Sequence, residues 1–456
     1  MIGLPKEPGF TSGIPLQPRP AGCPVPLTEI QMTYWNEIST QANSLSIRLC
    51  AGAVRVLGPL NTELLRDSID AVVRRHDSLR TRIVIVHGTP VQHIDPAREY
   101  RPEVVDLVTF SQIDIEKEAR HVAQEFFEKQ IDLSVGLLFE AKLLRLSDQE
   151  HVLLLALDHI VGDGFSNGIL SREIWTLYDR AVKGLPSPLP QVTIQFADYA
   201  VWLLRTHAAR KLKSEAHWID RMTGAPHVTV PVDSGREEFE KPVGALLHIP
   251  FGKGLSDGLR SVARHERTLL PVVILTAFVI TMARWCGQGD VSVVFVSHGR
   301  YRRHELQSMI GCLAHRMLFR ISIDNAETLV DLLKRVHQEF LSGIDHHDFV
   351  PEIRPEITEV MFSWGGLATY SARWTVVHKL NTGNELRLQP FPVSQTWPVK
   401  FLPFFSDTPA GVVVTVNYRP DLLSLQTIER FGGNLRLVGE EIVRNPLARV
   451  GTLLLR

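Results

Sequence analysis

The stretch from residue 152 to residue 166, VLLLALDHIVGDGFS, limits the fold more than any other part of the chain. Six apolar residues in a row, 152–157, read as a strand buried on both faces. The run meets Asp158 and His159, ionisable groups that cannot be buried cheaply without partners. Gly162 and Gly164 flank Asp163, so the chain turns there. Apolar residues then recur at helical spacing: Ile169, Leu170, Ile174, Leu177 and Tyr178. A core strand that ends in ionisable groups at a tight turn is a candidate site of chemistry.

Helices and strands alternate around this stretch. Thr28 can cap a helix holding Gln31, Tyr34 and Trp35, and residues 54–57 read as a strand. Asn61 caps a helix with Leu64, Leu65, Ile69, Val72 and Val73 on one face, and a strand follows at 83–86. Asp114 opens an amphipathic helix with Ala119, Val122, Ala123, Phe126 and Phe127 on its apolar face. The pattern is that of an α/β lobe. Three prolines within five residues, Pro186, Pro188 and Pro190, form a stiff linker that marks a lobe boundary. Beyond it come a helix from Phe196, a buried helix beginning at Pro271, strands at 291–296 and 412–416, and helices around 329–340 and 425–442. A chain of 456 residues is too long for one ordinary core. The expected domains are therefore 27–184 and 185–456. A proline-rich leader over 1–26 is expected to be extended or disordered.

The net charge of -1 gives no electrostatic reason to expect nucleic acid or an anionic membrane as partner. The four cysteines, Cys23, Cys50, Cys286 and Cys312, have neither metal-ligand spacing nor a disulfide pattern, which fits a reducing cytoplasm. The most apolar helical stretch, 272–283, is too short to span a bilayer and reads as a core helix.

Three readings compete for residues 158–168. In the first, His159 is a general base that takes a proton from an amine or alcohol attacking a thioester, and Asp163 clamps the turn by pairing with an arginine. In the second, Gly164-Phe165-Ser166-Asn167-Gly168 matches the G-x-S-x-G elbow of serine hydrolases. That elbow puts its serine right at the strand end, whereas seven residues lie between Asp158 and Ser166. Ser166 is more simply the cap of the next helix. In the third, His159 and Asp163 bind a metal, but the glycines argue against a helix there and no third ligand is near. No metal site is expected.

The motif Asp158-His159-Ile160-Val161-Gly162-Asp163-Gly164 resembles the H-H-x-x-x-D-G signature of nonribosomal peptide synthetase condensation domains, in the chloramphenicol acetyltransferase superfamily. Other family motifs follow in register. Leu27-Thr28-Glu29-Ile30-Gln31 resembles L-T-x-x-Q, and Arg75-His76-Asp77-Ser78-Leu79-Arg80-Thr81 resembles R-H-E-x-L-R-T. Phe196-Ala197-Asp198-Tyr199-Ala200-Val201-Trp202 resembles Y-x-D-F/Y-A-V-W. Gly299-Arg300 with Glu305-Leu306 and Ile310-Gly311, the segment beginning at His347, and Tyr418-Arg419-Pro420-Asp421-Leu422 complete seven matches across roughly 25–445.

The resemblance implies an α/β fold of two chloramphenicol acetyltransferase-like lobes, a V-shaped pseudodimer with a central tunnel. It implies that His159 is the catalytic or substrate-positioning histidine. Asp163 would pair with an arginine, for which Arg300 is the candidate, and Gly164 would lie near the reacting carbonyl. Ser166, His315, Arg316 and Trp364 are expected to line the tunnel. Two departures stand out: Asp158 replaces the first histidine, in a supporting role, and residues 310–316 differ from the usual I-G-x-F-V-N-T.

The function implied is acyl transfer from a carrier-protein phosphopantetheine thioester to a soluble or carrier-bound amine or hydroxyl, forming an amide or ester. No bound cofactor is implied. A monomeric, cytoplasmic, free-standing condensation enzyme is expected, with an excised domain as the alternative. The rival functions are a catalytically degenerate platform that recruits partner enzymes and an epimerase-type relative.

Overall fold

The computed structural model describes residues 15–39, 49–109, 111–129, 132–135, 138–233, 244–300, 303–346, 360–365, 377–379, 385–391, 393 and 399–455. Leader residues 1–14 and the motif beginning at His347 lie outside them.

Strand β7 (Glu150–Asp158) is the apolar run, paired antiparallel with β2 (Leu49–Leu57) and β6 (Phe139–Ser147). Its side chains alternate between two cores. Leu153, Leu155 and Leu157 join residues of α2 (Thr62–Arg75) and α4 (Gly164–Val182). Val152, Leu154 and Ala156 join residues of α3 (Gln112–Glu128) on the other face. Covering both faces of a strand leaves no polar position along it, which accounts for the unbroken run.

Among the described residues there are two six-stranded sheets. The first has the order β12 (Val377–Lys379), β13 (Glu385–Pro390), β2, β7, β6, β5 (Glu103–Asp106). The second has the order β10 (His315–Ser322), β9 (Asp290–Ser297), β11 (Met361–Trp364), β14 (Phe401–Thr408), β15 (Gly411–Tyr418), β8 (Ala245–Pro250). Helix α7 (Leu270–Cys286) is buried at every position from 272 to 283 and centres the second core, with α6 (Gly252–His265), α8 (Leu329–Asp345) and α9 (Leu425–Arg444) around it. The fold class is α/β, as expected.

Four details correct the sequence expectations. Strand β13 belongs by sequence to the second unit, yet it pairs with β2 and buries Leu386 and Leu388 in the first core. Residues 385–388 alternate, but alternation says nothing about which sheet a strand joins, and the open edge of β2 needs a partner. Helix α5 (Phe196–Met222) likewise serves both cores, Phe196, Tyr199 and Leu203 in the first and Trp218 in the second. The described part of the leader is docked. Leu16 is buried, Arg19 Nη1 lies 2.8 Å from the Asp198 carboxylate, and β1 (Val25–Pro26) pairs with β4 (Thr89–Ile94) in a small sheet with β3 (Thr81–Val86). Proline forbids a central strand but tolerates such a short edge. Finally, helices α3 and α4 begin earlier than read: Ser111 caps α3 and Asp163, not Ser166, caps α4.

Candidate active site

The end of β7 is folded into a turn by its own side chain. Asp158 is buried, and its Oδ1 accepts the Ile160 N–H at 3.0 Å, an Asx-type turn with His159 at its corner. The Ile160 carbonyl in turn accepts from Gln31 Nε2 at 2.6 Å. Gln31 stands in α1 (Glu29–Ser39), and its Oε1 accepts the Thr28 N–H at 2.9 Å. The L-T-x-x-Q segment is thus a clamp on the histidine turn.

His159 is half-buried and stacks on Tyr34 of α1, centroids 5.1 Å apart and planes 19° apart. Tyr34 is held from the second sheet by Arg316, whose guanidinium lies 5.3 Å from the ring centroid and donates to the phenol oxygen at 3.4 Å. Glu37 lies 3.7 Å from the same guanidinium. Burial pushes the His159 imidazole down to about 4; the Asp163 carboxylate resists the shift and Arg316 adds to it. The ring is therefore neutral at physiological pH, with one nitrogen lone pair to offer.

Four residues beyond His159, the two halves of the chain are locked together. Arg300 is fully buried, and its Nη1 donates to Asp163 Oδ2 at 2.7 Å. Its Nη2 donates to Ser166 Oγ at 3.0 Å and to the carbonyls of Met309 and Gly311 at 3.1 and 3.2 Å. Asp163 Oδ1 accepts the Ser166 N–H at 2.9 Å, and Oδ2 accepts the Leu313 N–H at 3.1 Å. Burial works to raise the Asp163 carboxyl, but Arg300 and the Ser166 donors hold it below the ordinary carboxylate range. The Ser166 hydroxyl lies 2.8 Å from Asp163 Oδ1 and 3.0 Å from the Gly311 carbonyl, and it is fully buried. A serine so enclosed cannot be a nucleophile, and a carboxylate so engaged cannot serve a metal. A β-carbon on Gly311 would sit 2.2 Å from the Phe196 ring at the start of α5, so the close packing of this segment on α5 requires glycine.

Gly164 follows on the open side: no atom lies within 4 Å of where its β-carbon would be. Phe165 is half-buried, stacks on His298 at 5.0 Å, and lies 4.8 Å below the Arg300 guanidinium. His315 is half-buried against Gly299, whose φ of +68° only glycine adopts readily. Trp364 is half-buried at the end of β11 and touches the second core. Sequence reading missed Gln31, Tyr34, Phe165 and His298 as site residues. Gln31 and Tyr34 carried a signal, since both lie in the helix of the L-T-x-x-Q motif. Two surface cavities of about 540 Å³, one lined by Arg320 and Glu339 and one by Tyr100 and Phe126, contain none of these residues.

The condensation domain family model matches residues 24–351. A linear gramicidin synthase polypeptide of Brevibacillus parabrevis is 30% identical over 445 residues, which is 95% of this chain but only 6% of that protein. The X-domain from teicoplanin biosynthesis superposes with a TM-score of 0.79 at 19% identity, over 97% of this chain and 100% of that one. The first condensation domain of the calcium-dependent antibiotic synthetase, solved with a substrate analogue, gives 0.74 at 18% identity over 96% and 100%. The fold is shared with these structures, and the L-T-x-x-Q, Asp158–Gly164 and Gly299-Arg300 motifs meet around the His159 turn. The chain belongs to the condensation domain family.

Proposed function

We propose that the protein is an acyltransferase. It would move an acyl group from a phosphopantetheine thioester on an acyl or peptidyl carrier protein to an amine or hydroxyl acceptor, forming an amide or ester. The observation that carries this is the His159 imidazole, stacked on Tyr34 and set on a turn tied by Asp158 and Gln31, five residues ahead of Gly164, whose β-carbon side is open. An incoming nucleophile loses its proton as the new bond forms, and a positioned imidazole that takes it contributes ~10²–10⁴-fold. The pantetheine arm arrives with the carrier as substrate. The protein would act as a cytoplasmic monomer, in keeping with four cysteines that form no disulfide.

The test is a mass-spectrometric assay with acyl-loaded carriers and candidate acceptors. The expected result is a product whose formation falls ~10²–10⁴-fold in His159→Ala while the melting curve keeps its shape. Near wild-type turnover by that variant sinks the base assignment.

A platform without catalysis is the second reading. Asp158 in place of the first histidine and the altered 310–316 segment favour it. The teicoplanin X-domain has also been solved in complex with OxyB. On this reading no carrier yields product, and the protein instead binds a partner enzyme.

A further inference from the structure

Arg316 stands near the start of β10 in the second sheet, yet its side chain reaches Tyr34 of α1, the ring on which His159 stacks. The guanidinium lies 5.3 Å from the Tyr34 ring centroid and the imidazole centroid 5.1 Å from it. The cation and the base are therefore no farther apart than these two distances together. A small acceptor can bridge that span with hydrogen bonds of about 3 Å at either end.

The guanidinium has most of its hydrogen-bonding capacity unspent. Of its five N–H donors, one on Nη2 reaches the Tyr34 oxygen, at 3.4 Å. Glu37 Oε1 stays 3.7 Å from Nη1, whereas a charge-assisted bond from arginine to a carboxylate spans about 2.7–2.9 Å. Among the described residues no nitrogen of Arg316 is both buried and unpaired, so the unused N–H groups face open space. The side chain keeps 22% of its surface exposed. Burial is nonetheless the strongest single influence on its charge, as it is for His159, which is also half-buried. Groups that lie deep in the protein and still reach water line a crevice. Arg300 is the contrast: it has no exposed surface, and its N–H groups are taken by Asp163, Ser166 and backbone carbonyls.

We propose that Arg316 holds the carboxylate of the acceptor, and that this acceptor is a free amino acid which presents its amine to His159. This rests on the acyl-transfer reading. An amino acid loaded on a carrier has spent its carboxylate in the thioester and offers the guanidinium no charge. A free carboxylate fits a guanidinium in a two-bond fork and displaces Glu37 from its looser contact. The neutral amine then bonds to the acyl carbon as the carbon–sulfur bond breaks. The proton that the nitrogen gives up passes to His159 and from there to the departing thiolate.

The test supplies an acyl-loaded carrier with the standard amino acids, each offered free, as its methyl ester, and loaded on a second carrier. The ester keeps the amine and removes the charge. A free amino acid is expected to give product, and its ester to react with kcat/KM lower by ~10–10²-fold, mainly through KM. Arg316→Met should raise KM for the free acid by a similar ~10–10²-fold and leave the ester unchanged, so that the preference disappears. Glu37→Gln removes the competing carboxylate and should lower KM for the free acid. An ester or a carrier-bound amino acid used as well as the free acid overturns this inference alone, as does a preference that survives Arg316→Met. No product with any acceptor overturns the acyl-transfer reading and this inference with it.

Discussion

The stack Arg316–Tyr34–His159 sets the chemistry available at the centre of the site. A guanidinium above one face of the phenol and an imidazole against it fix the orientation of the base without a carboxylate on the imidazole itself. The same cation disfavours a second positive charge on the ring. If His159 is the base, it must be neutral to act, so activity is lost as pH falls through its folded pKa. The acidic limb of kcat/KM is expected near pH 4 rather than at the 6.5 of a free histidine, measured with a hydroxyl acceptor that does not itself titrate there. Removing the cation reverses part of the shift: Arg316→Met should move that limb to higher pH. A limb that stays in place in this variant would mean that Arg316 does not govern the base. The imidazole and the carboxylate four residues on were legible because one short motif holds both. The stack was not, because Tyr34 and Arg316 are 282 residues apart and no spacing rule connects them.

At the scale of the element, α4 has an N-terminus that does three things at once. Asp163 caps it, places a carboxylate at the positive end of the helix dipole, and accepts Arg300 from the other half of the chain. Ser166, the third residue in, closes the capping box and passes the contact on to Gly311. The sequence showed a helix starting here but assigned the cap to Ser166, since both residue types cap well and their ranking is flat. The same ambiguity displaced the start of α3, where Ser111 caps and Asp114 follows. Which one caps is decided by the long-range partner, Arg300, which local propensity does not contain. Arg300→Met leaves the Asp163 carboxylate buried with only backbone and hydroxyl donors, a change that typically costs about 3–5 kcal/mol. The expected outcome is a clearly lower melting temperature together with faster proteolysis within 303–314. An unchanged melting temperature would show that the pair contributes little to holding the two halves together.

Over the whole molecule, the proline linker at 186–190 looks like a boundary between independent units, yet the cores do not respect it. The first core takes Phe196, Tyr199 and Leu203 from α5, Leu306, Met309, Ile310 and Leu313 from the segment before β10, and Leu386 and Leu388 from β13. Ser78 bonds the Ile310 carbonyl at 2.7 Å, and Asp163 depends on Arg300. Periodicity located most of the helices but missed α6 and more than half of the strands, β8, β10, β13 and β14 among them, and it carries no information on which sheet a late strand enters. A fragment of residues 15–184 would have to stand without these nine side chains. At about 1.5–3 kcal/mol for each buried apolar side chain, the loss is roughly 15–25 kcal/mol as an upper bound. That exceeds the net stability of about 5–15 kcal/mol that an ordinary domain possesses. The fragment is therefore expected to lack a cooperative melting transition and to expose apolar surface that binds a hydrophobic dye. Co-expression with residues 185–456 should restore both cooperativity and, if the acyl-transfer proposal holds, turnover, because Arg300 and Arg316 come from that half to hold Asp163 and Tyr34 beside the His159 turn. A fragment 15–184 that melts cooperatively by itself would show that the crossing segments decorate the first core instead of completing it.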